Sequence, residues 1–274
     1  MVFKSKSLLS SAVMGLTLSV MCNSALAASI ALSTTYISNF SMTAGGVDLT
    51  GFTYSNDSAA TEGGGTGAVD TLDAPAACLG DCAGWENQFY AHDPYTTEFS
   101  YGDALIELAD IQSGNGAASS IGEVMVTDGI AHASGSNVLT SISLIIKESV
   151  VLDFSLDAIT LMETNVSGTG VSSAANTFFN ITLTDNLGGT VFSWAPDQLN
   201  HGITGNTTYS FDSTASGVRP LSADTGSLTA GDYTLNIKME NQVNGAAVVP
   251  VPAAVWLFGS GLIGLIGLAR RKKS

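Results

Sequence analysis

Residues 177–194 read Thr-Phe-Phe-Asn-Ile-Thr-Leu-Thr-Asp-Asn-Leu-Gly-Gly-Thr-Val-Phe-Ser-Trp. Two runs rich in β-branched and aromatic residues, 177–184 and 190–194, flank Asp185-Asn186-Leu187-Gly188-Gly189, a group of turn formers. The stretch predicts a β-hairpin. Working outward, the same strand chemistry recurs. Ser29 to Ser41 places Ile30, Leu32, Thr34, Tyr36 and Ser38 on alternate positions. Val47–Tyr54, Glu123–Ile130 and Val138–Lys147 are similar, the last with an apolar centre at Leu144-Ile145-Ile146. Glu148–Leu161 reads as one long strand or two broken ones, and Thr207–Asp212 follows. Ala230-Gly231-Asp232 turns into a last strand, Asp232–Glu240, that sets Tyr233, Leu235 and Ile237 on one face. Few segments favour long helices. The expected fold is all-β: a single antiparallel β-sandwich, jelly-roll-like, over residues 28–240.

The two ends have a different chemistry. Lys4 and Lys6 precede an apolar run, Leu8 to Met21, and Ala25-Leu26-Ala27 supplies a small-x-small cleavage pattern. Residues 1–27 are therefore expected to be a secretory signal, cut after Ala27 and handled by the Sec translocon. Cys22 is not a lipidation site, because the preceding Met21 is too large. At the other end, residues 253–269 carry no charge and have nearly the length needed to span a bilayer. Arg270, Arg271, Lys272 and Lys273 stop the span and favour the cytoplasmic side, leaving the preceding domain outside. Pro250 and Pro252 exclude a helix upstream, so Val249-Pro250-Val251-Pro252-Ala253 is expected to be extended and accessible.

This tail resembles a PEP-CTERM sorting signal: a short Pro-containing motif, a transmembrane helix and a terminal Arg/Lys cluster. The family's Pro-Glu-Pro stands here as Pro250-Val251-Pro252, and Ala253-Ala254-Val255-Trp256-Leu257-Phe258-Gly259-Ser260-Gly261 continues the match. The resemblance implies export across the inner membrane of a Gram-negative bacterium that makes extracellular polysaccharide. It further implies processing by an exosortase, a membrane-embedded cysteine transpeptidase. It covers about a tenth of the chain and implies sorting rather than activity. Residues 241–248 are expected to tether the domain to residues 249–274.

The body between the ends is strongly acidic. Its cations are Lys147, Arg219 and Lys238 against 24 carboxylates, a formal charge of −21. That charge disfavours nucleic acid and anionic lipid as partners of the body. The positive mean hydropathy of +0.29 comes from the two ends. Cys78 and Cys82 lie close enough for a small disulfide loop in an oxidising compartment, worth about 2 kcal/mol; free thiols and a metal are the alternatives. Residues 56–120 read as a long loop-rich insertion, with Gly63-Gly64-Gly65 near its start. No strand–Gly-rich–Lys-Ser/Thr order accompanies that triplet, so it is no phosphate cradle. Asp57-Ser58-Ala59, the paired cysteines and Trp85-Glu86-Asn87 resemble an acidic subgroup of the same family.

From Trp85 to Tyr101, aromatic residues alternate with amides and carboxylates. Trp85, Asn87, Tyr90 and Tyr95 are candidate glycan contacts, a flat ring against a sugar's C–H face with polar groups on its hydroxyls. The plainer reading is that these aromatics pin an irregular segment to the sandwich. Catalytic patterns are missing: there is no Gly-x-Ser-x-Gly, and His92, His132 and His201 are isolated. Asp224-Thr225-Gly226 lacks the second triplet of an aspartic protease and reads as a turn. Glu86, Asp93, Glu98 and Asp103 offer carboxylates for glycoside hydrolysis, the basis of an alternative reading as a glycan-active enzyme. Loops carrying Asp70, Asp73 and Asp81 leave calcium open, but they have no EF-hand spacing, and no metal site or cofactor is assigned. The leading expectation is a non-catalytic surface or matrix protein, structural or adhesive, associated with secreted polysaccharide.

Overall fold

The computed structural model describes residues 28–45, 50–62, 65–70, 77–80, 88–92, 99–107, 111, 114–127, 131–168 and 170–247. The expected signal peptide, the sorting tail with its transmembrane helix, and Cys82, Trp85, Asn87 and Tyr95 lie outside them. The described chain is nearly all β, in two antiparallel seven-stranded sheets. The first runs β12 (Thr207–Asp212), β8 (Val150–Ser167), β1 (Ala28–Thr43), β6 (Gly116–Val126), β5 (Phe99–Glu107) and β4 (Ala77–Gly80), with β13 (Leu221–Leu228) also on β8. The second runs β10 (Thr190–Trp194), β9 (Ser172–Asp185), β14 (Gly231–Ala246), β7 (His132–Ile146), β2 (Thr50–Glu62) and β3 (Gly65–Asp70), with β11 (His201–Thr204) also on β9.

Alternation explains the layering. Along β8 and β14, buried residues occupy every second position, so one face of each strand enters the space between the sheets. The long strands are continuous because their pairing is: β14 is held by β7 over Gly231–Gly245 and by β9 over Tyr233–Ala246. The β9–β10 hairpin forms at 185–189, as its sequence predicts. Its Asp185 Oδ1 accepts from the amides of Leu187 (2.9 Å) and Gly189 (2.8 Å), closing the turn.

The interior changes character along the strands. At one end Phe40, Phe154 and Phe192 stack in series, with centroids 6.4 and 5.5 Å apart, inside a large apolar cluster that includes Ile142, Leu144, Ile181 and Leu235. At the other end Ala31, Val124, Val126, Met162, Val243 and Ala247 form a smaller one. Between them lies a buried polar belt. Asn241 is fully buried there; its Oδ1 accepts from Ser33 Oγ (2.6 Å) and Thr35 Oγ1 (3.2 Å), and its Nδ2 donates to the Ser120 carbonyl (3.0 Å). Ser120 and Ser136 share a hydrogen bond of 2.5 Å, and Thr35 and Thr177 one of 2.9 Å. Small residues let the sheets approach here. A Cβ on Gly122 would lie 3.2 Å from the Gly135 Cα, and one on Gly245 would lie 2.7 Å from Ser29 Oγ.

Several sequence expectations are corrected. Strands β3, β4 and β5 and the first half of β6 run through residues 56–120, read above as loop-rich. In β6, Gly116-Ala-Ala-Ser-Ser lacks alternation because the strand is covered on both faces, and nearly every residue is buried. Strand β14 continues to Ala246, and Asn241, Val243 and Ala247 are buried, so residues 241–247 belong to the core and are not a tether. Asp224-Thr225-Gly226 is a kink within edge strand β13: the Gly226 amide, at φ 66°, donates to Asp224 Oδ1 at 3.0 Å. The order also departs from a jelly roll, because the first and last strands, neighbours in that fold, here lie in opposite sheets.

Candidate functional site

The aromatic segment covers the outer face of the first sheet. Ile30, Leu32, Phe99, Tyr101, Ile121 and Met125 form an apolar patch there, and Phe89 and Ala91 pack on it. The segment 88–92 is tied down by polar bonds. Thr34 Oγ1 donates to the Phe89 carbonyl (3.1 Å), and the His92 amide donates to Glu123 Oε1 (3.1 Å). His92 Nδ1 lies 2.7 Å from Glu123 Oε2, a buried imidazole–carboxylate contact. Beside it the Tyr101 hydroxyl donates to Asp103 Oδ2 at 2.8 Å. Burial, and after it the Asp103 carboxylate, pushes the Tyr101 phenol well above its ordinary range.

This geometry supports pinning. Phe89 packs down onto the patch that Phe99 and Tyr101 of β5 help to form. Tyr90 is 56% exposed, stacked on His92 with its hydroxyl donating to Gln88 Oε1 (2.7 Å). Of the four glycan contacts expected from sequence, Tyr90 is thus the one the described residues place, and it is available to solvent. Asp103, one of the carboxylates offered for hydrolysis, has no exposed surface, and neither has Glu123. A carboxyl sealed in this way cannot meet a polymer in solvent; its chemistry is spent on holding Tyr101 and the 88–92 segment. Cys78 sits on β4 opposite Tyr101. Sequence reasoning passed over Glu123. The available signal was a lone carboxylate inside the apolar run 121–126.

A second surface, which no motif announced, lies on the outer face of the second sheet. Neighbouring strands β9 and β14 form an open groove of about 230 Å³, lined by Asn176, Thr177, Phe178, Lys238, Glu240 and Gln242. The register pairs Phe178 with Glu240, Asn176 with Gln242 and Asn180 with Lys238. Phe178 is 39% exposed, and Lys238 Nζ lies 5.4 Å from its ring centroid. Lys238 also forms an ion pair of 2.7 Å with Glu240 Oε2, and Gln242 Nε2 donates to Glu240 Oε1. The groove therefore combines one half-exposed ring, two amides and a neutralised charge pair. At its side, His201 of β11 stacks on Tyr209 of β12 with centroids 4.1 Å apart, joining the edges of the two sheets.

Among the described residues there is no cluster of three or more metal-ligating side chains, and no helix is long and apolar enough to cross a membrane. No family model matches the chain, and no characterised protein or solved structure matches it.

Proposed function

We propose that this chain is an exported surface or matrix protein, sorted through its C-terminal tail by an exosortase, whose single β-sandwich ectodomain has a structural or adhesive role beside secreted polysaccharide. The observation that carries the reading is the tail itself: Pro250-Val251-Pro252, an uncharged run to Ala269, then four cations. Two features of the fold support it. The described part of strand β1 runs from Ala28, so the domain that would remain after cleavage at Ala27 includes all of it. Ala247 is still buried in the sandwich, and Val249–Ala253 begins only two positions later in the sequence. A formal charge of −21 on the body disfavours its approach to anionic lipid. No catalysis is assigned to the body.

The test is mass spectrometry of the exported protein's C-terminus in cells with and without an exosortase. A new terminus near Pro250–Ala253 that depends on the enzyme is the expected result. A chain ending at Ser274 in both strains would overturn sorting and leave a permanently anchored ectodomain.

A further inference from the structure

We infer that the groove between β9 and β14 holds a strand of uncharged polysaccharide, running along the strands with Phe178 as its central platform. This rests on the reading above only in placing the sandwich outside the cell, where such polymers lie within reach.

Three observations carry it. First, an aromatic ring 39% exposed stands in a groove whose other lining side chains are amide, hydroxyl and charge. Phe179 and Tyr233, on the same two strands, enter the core instead, and Phe192 and Trp194 of β10 pack against it. A lone ring among hydrogen-bonding groups is a poor start for a protein interface, whose centre needs a contiguous apolar area. It suits the C–H face of a pyranose, whose hydroxyls reach the surrounding amides. Secondly, the polar groups are spaced for a polymer. Asn176 and Asn180 lie two residues either side of Phe178, roughly 7 Å along the strand in each direction, and each has a polar partner on β14. A linear chain laid in the groove meets an amide pair, the ring and another polar pair in succession. The Asn176 side chain is also packed over Gly202, where an added Cβ would come within 2.6 Å of its Oδ1. Thirdly, the charge selects. Lys238 and Glu240 neutralise one another at 2.7 Å within a body of charge −21. A uronate polymer would approach a net-negative surface with no uncompensated cation in the groove, whereas a neutral chain carries no such penalty.

The experiment applies the full-length chain, purified in a detergent without a sugar headgroup, to an array of neutral hexose and hexosamine oligosaccharides beside polyuronate oligomers. Saturable retention on neutral chains is expected. Phe178→Ala should weaken it tenfold or more, and Gln242→Ala, a change of one exposed side chain, severalfold. Unfolding temperatures measured in parallel show whether each variant is folded. Leu187→Ser, at the remote β9–β10 turn and 90% exposed, should leave retention unchanged. Preference for uronates, retention on no array member, or undiminished binding by folded Phe178→Ala and Gln242→Ala would each overturn the groove. Loss in Tyr90→Ala with Phe178→Ala unaffected would also overturn it and move recognition to the first sheet. Exosortase-dependent processing of a chain that retains no glycan would sink this inference and leave the sorting reading standing.

Discussion

Replacing Asn241 by alanine removes the node that ties the two sheets together. The lost contacts are the two hydroxyl donors at 2.6 and 3.2 Å and the amide's own bond to the Ser120 carbonyl at 3.0 Å. The losses are unequal. Ser33 Oγ can turn wholly to the Asn176 carbonyl, already 2.9 Å away, and Thr35 retains Thr177. The Ser120 carbonyl is left short of a donor in a dry interior, at a cost of about 1–3 kcal/mol. The missing carboxamide leaves a void of ~40 Å³, worth ~1 kcal/mol at ~24 cal/mol per Å³. Together these give about 3 kcal/mol. For a body of roughly 220 residues with an unfolding entropy of about 2.1 cal/mol/K per residue, that lowers Tm by about 6 °C. Asn244, exposed on the same strand, is the control, and its alanine variant should change Tm by no more than about 1 °C. The assay is thermal unfolding of the full-length chain followed by circular dichroism. Asn241→Asp adds a signature: the carboxylate cannot donate to Ser120, so its deficit at pH 7 should exceed that of alanine and shrink as the medium is acidified. Equal Tm values for Asn241→Ala and Asn244→Ala would refute the reasoning and restore residues 241–248 to a tether.

Three further outcomes follow from the geometry. Gly245→Ala drives a methyl to within 2.7 Å of Ser29 Oγ and 3.3 Å of Val126 Cγ2; urea titration should show a loss of about 1–3 kcal/mol, and a neutral result would mean the sheets part freely there. Glu123→Ala strips His92 of both its amide and imidazole partners; limited proteolysis should then cut near Tyr90 faster than in the parent chain, and unchanged cleavage would show that apolar contacts alone hold segment 88–92. Burial raises the Glu163 carboxyl above its ordinary 4.5. The folded state therefore holds that proton more tightly than the unfolded chain, and stability falls as pH rises through the folded value. Glu163→Gln should accordingly raise Tm at pH 7 by roughly one or two degrees, given the group's partial exposure, and the gain should vanish below about pH 4. A gain that persists at low pH would point to packing instead.

What could be read from the sequence was set by which strands have one face in the core and one in water. β8, β9 and β14 alternate, and hydropathy shows it directly. β6 is covered by β7 and β14 on one side and by segment 88–92 on the other, so its pattern is a run of small and apolar residues with no period. Its partner β5 and the short edge strands β4, β11 and β13 owe their form to pairing with longer neighbours, information that is not local in the chain. The polar belt misled differently. Asn241-Gln242-Val243-Asn244-Gly245 looks like a solvated linker, and only the opposing sheet, with donors and an acceptor at hydrogen-bonding distance, makes burial of Asn241 favourable. The groove was illegible for a related reason. Phe178 and Phe179 are adjacent and chemically equal, and only the register decides that one enters the core and the other faces water.

The placement of β14 gives the proposed sorting a mechanical sense. This strand is central in its sheet, bonded along nearly its whole length to β7 on one side and β9 on the other. Ala247, buried and the last of the described residues, stands three positions before Pro250 of the Pro250-Val251-Pro252 motif. A pull on the tail therefore loads β14 along its own axis, where both ladders must shear together. An edge strand such as β10, five residues long with one partner, would unzip bond by bond under the same load. The polar belt adds to this, because Asn241 lies on β14 and its hydrogen bonds cross to β1 and β6 of the other sheet. Drawing the strand out would thus break inter-sheet as well as intra-sheet contacts. The groove uses the same strand, through Lys238, Glu240 and Gln242. A polymer held in the proposed groove would thus rest on β9 and its neighbour β14, the same strand that leads towards the C-terminus.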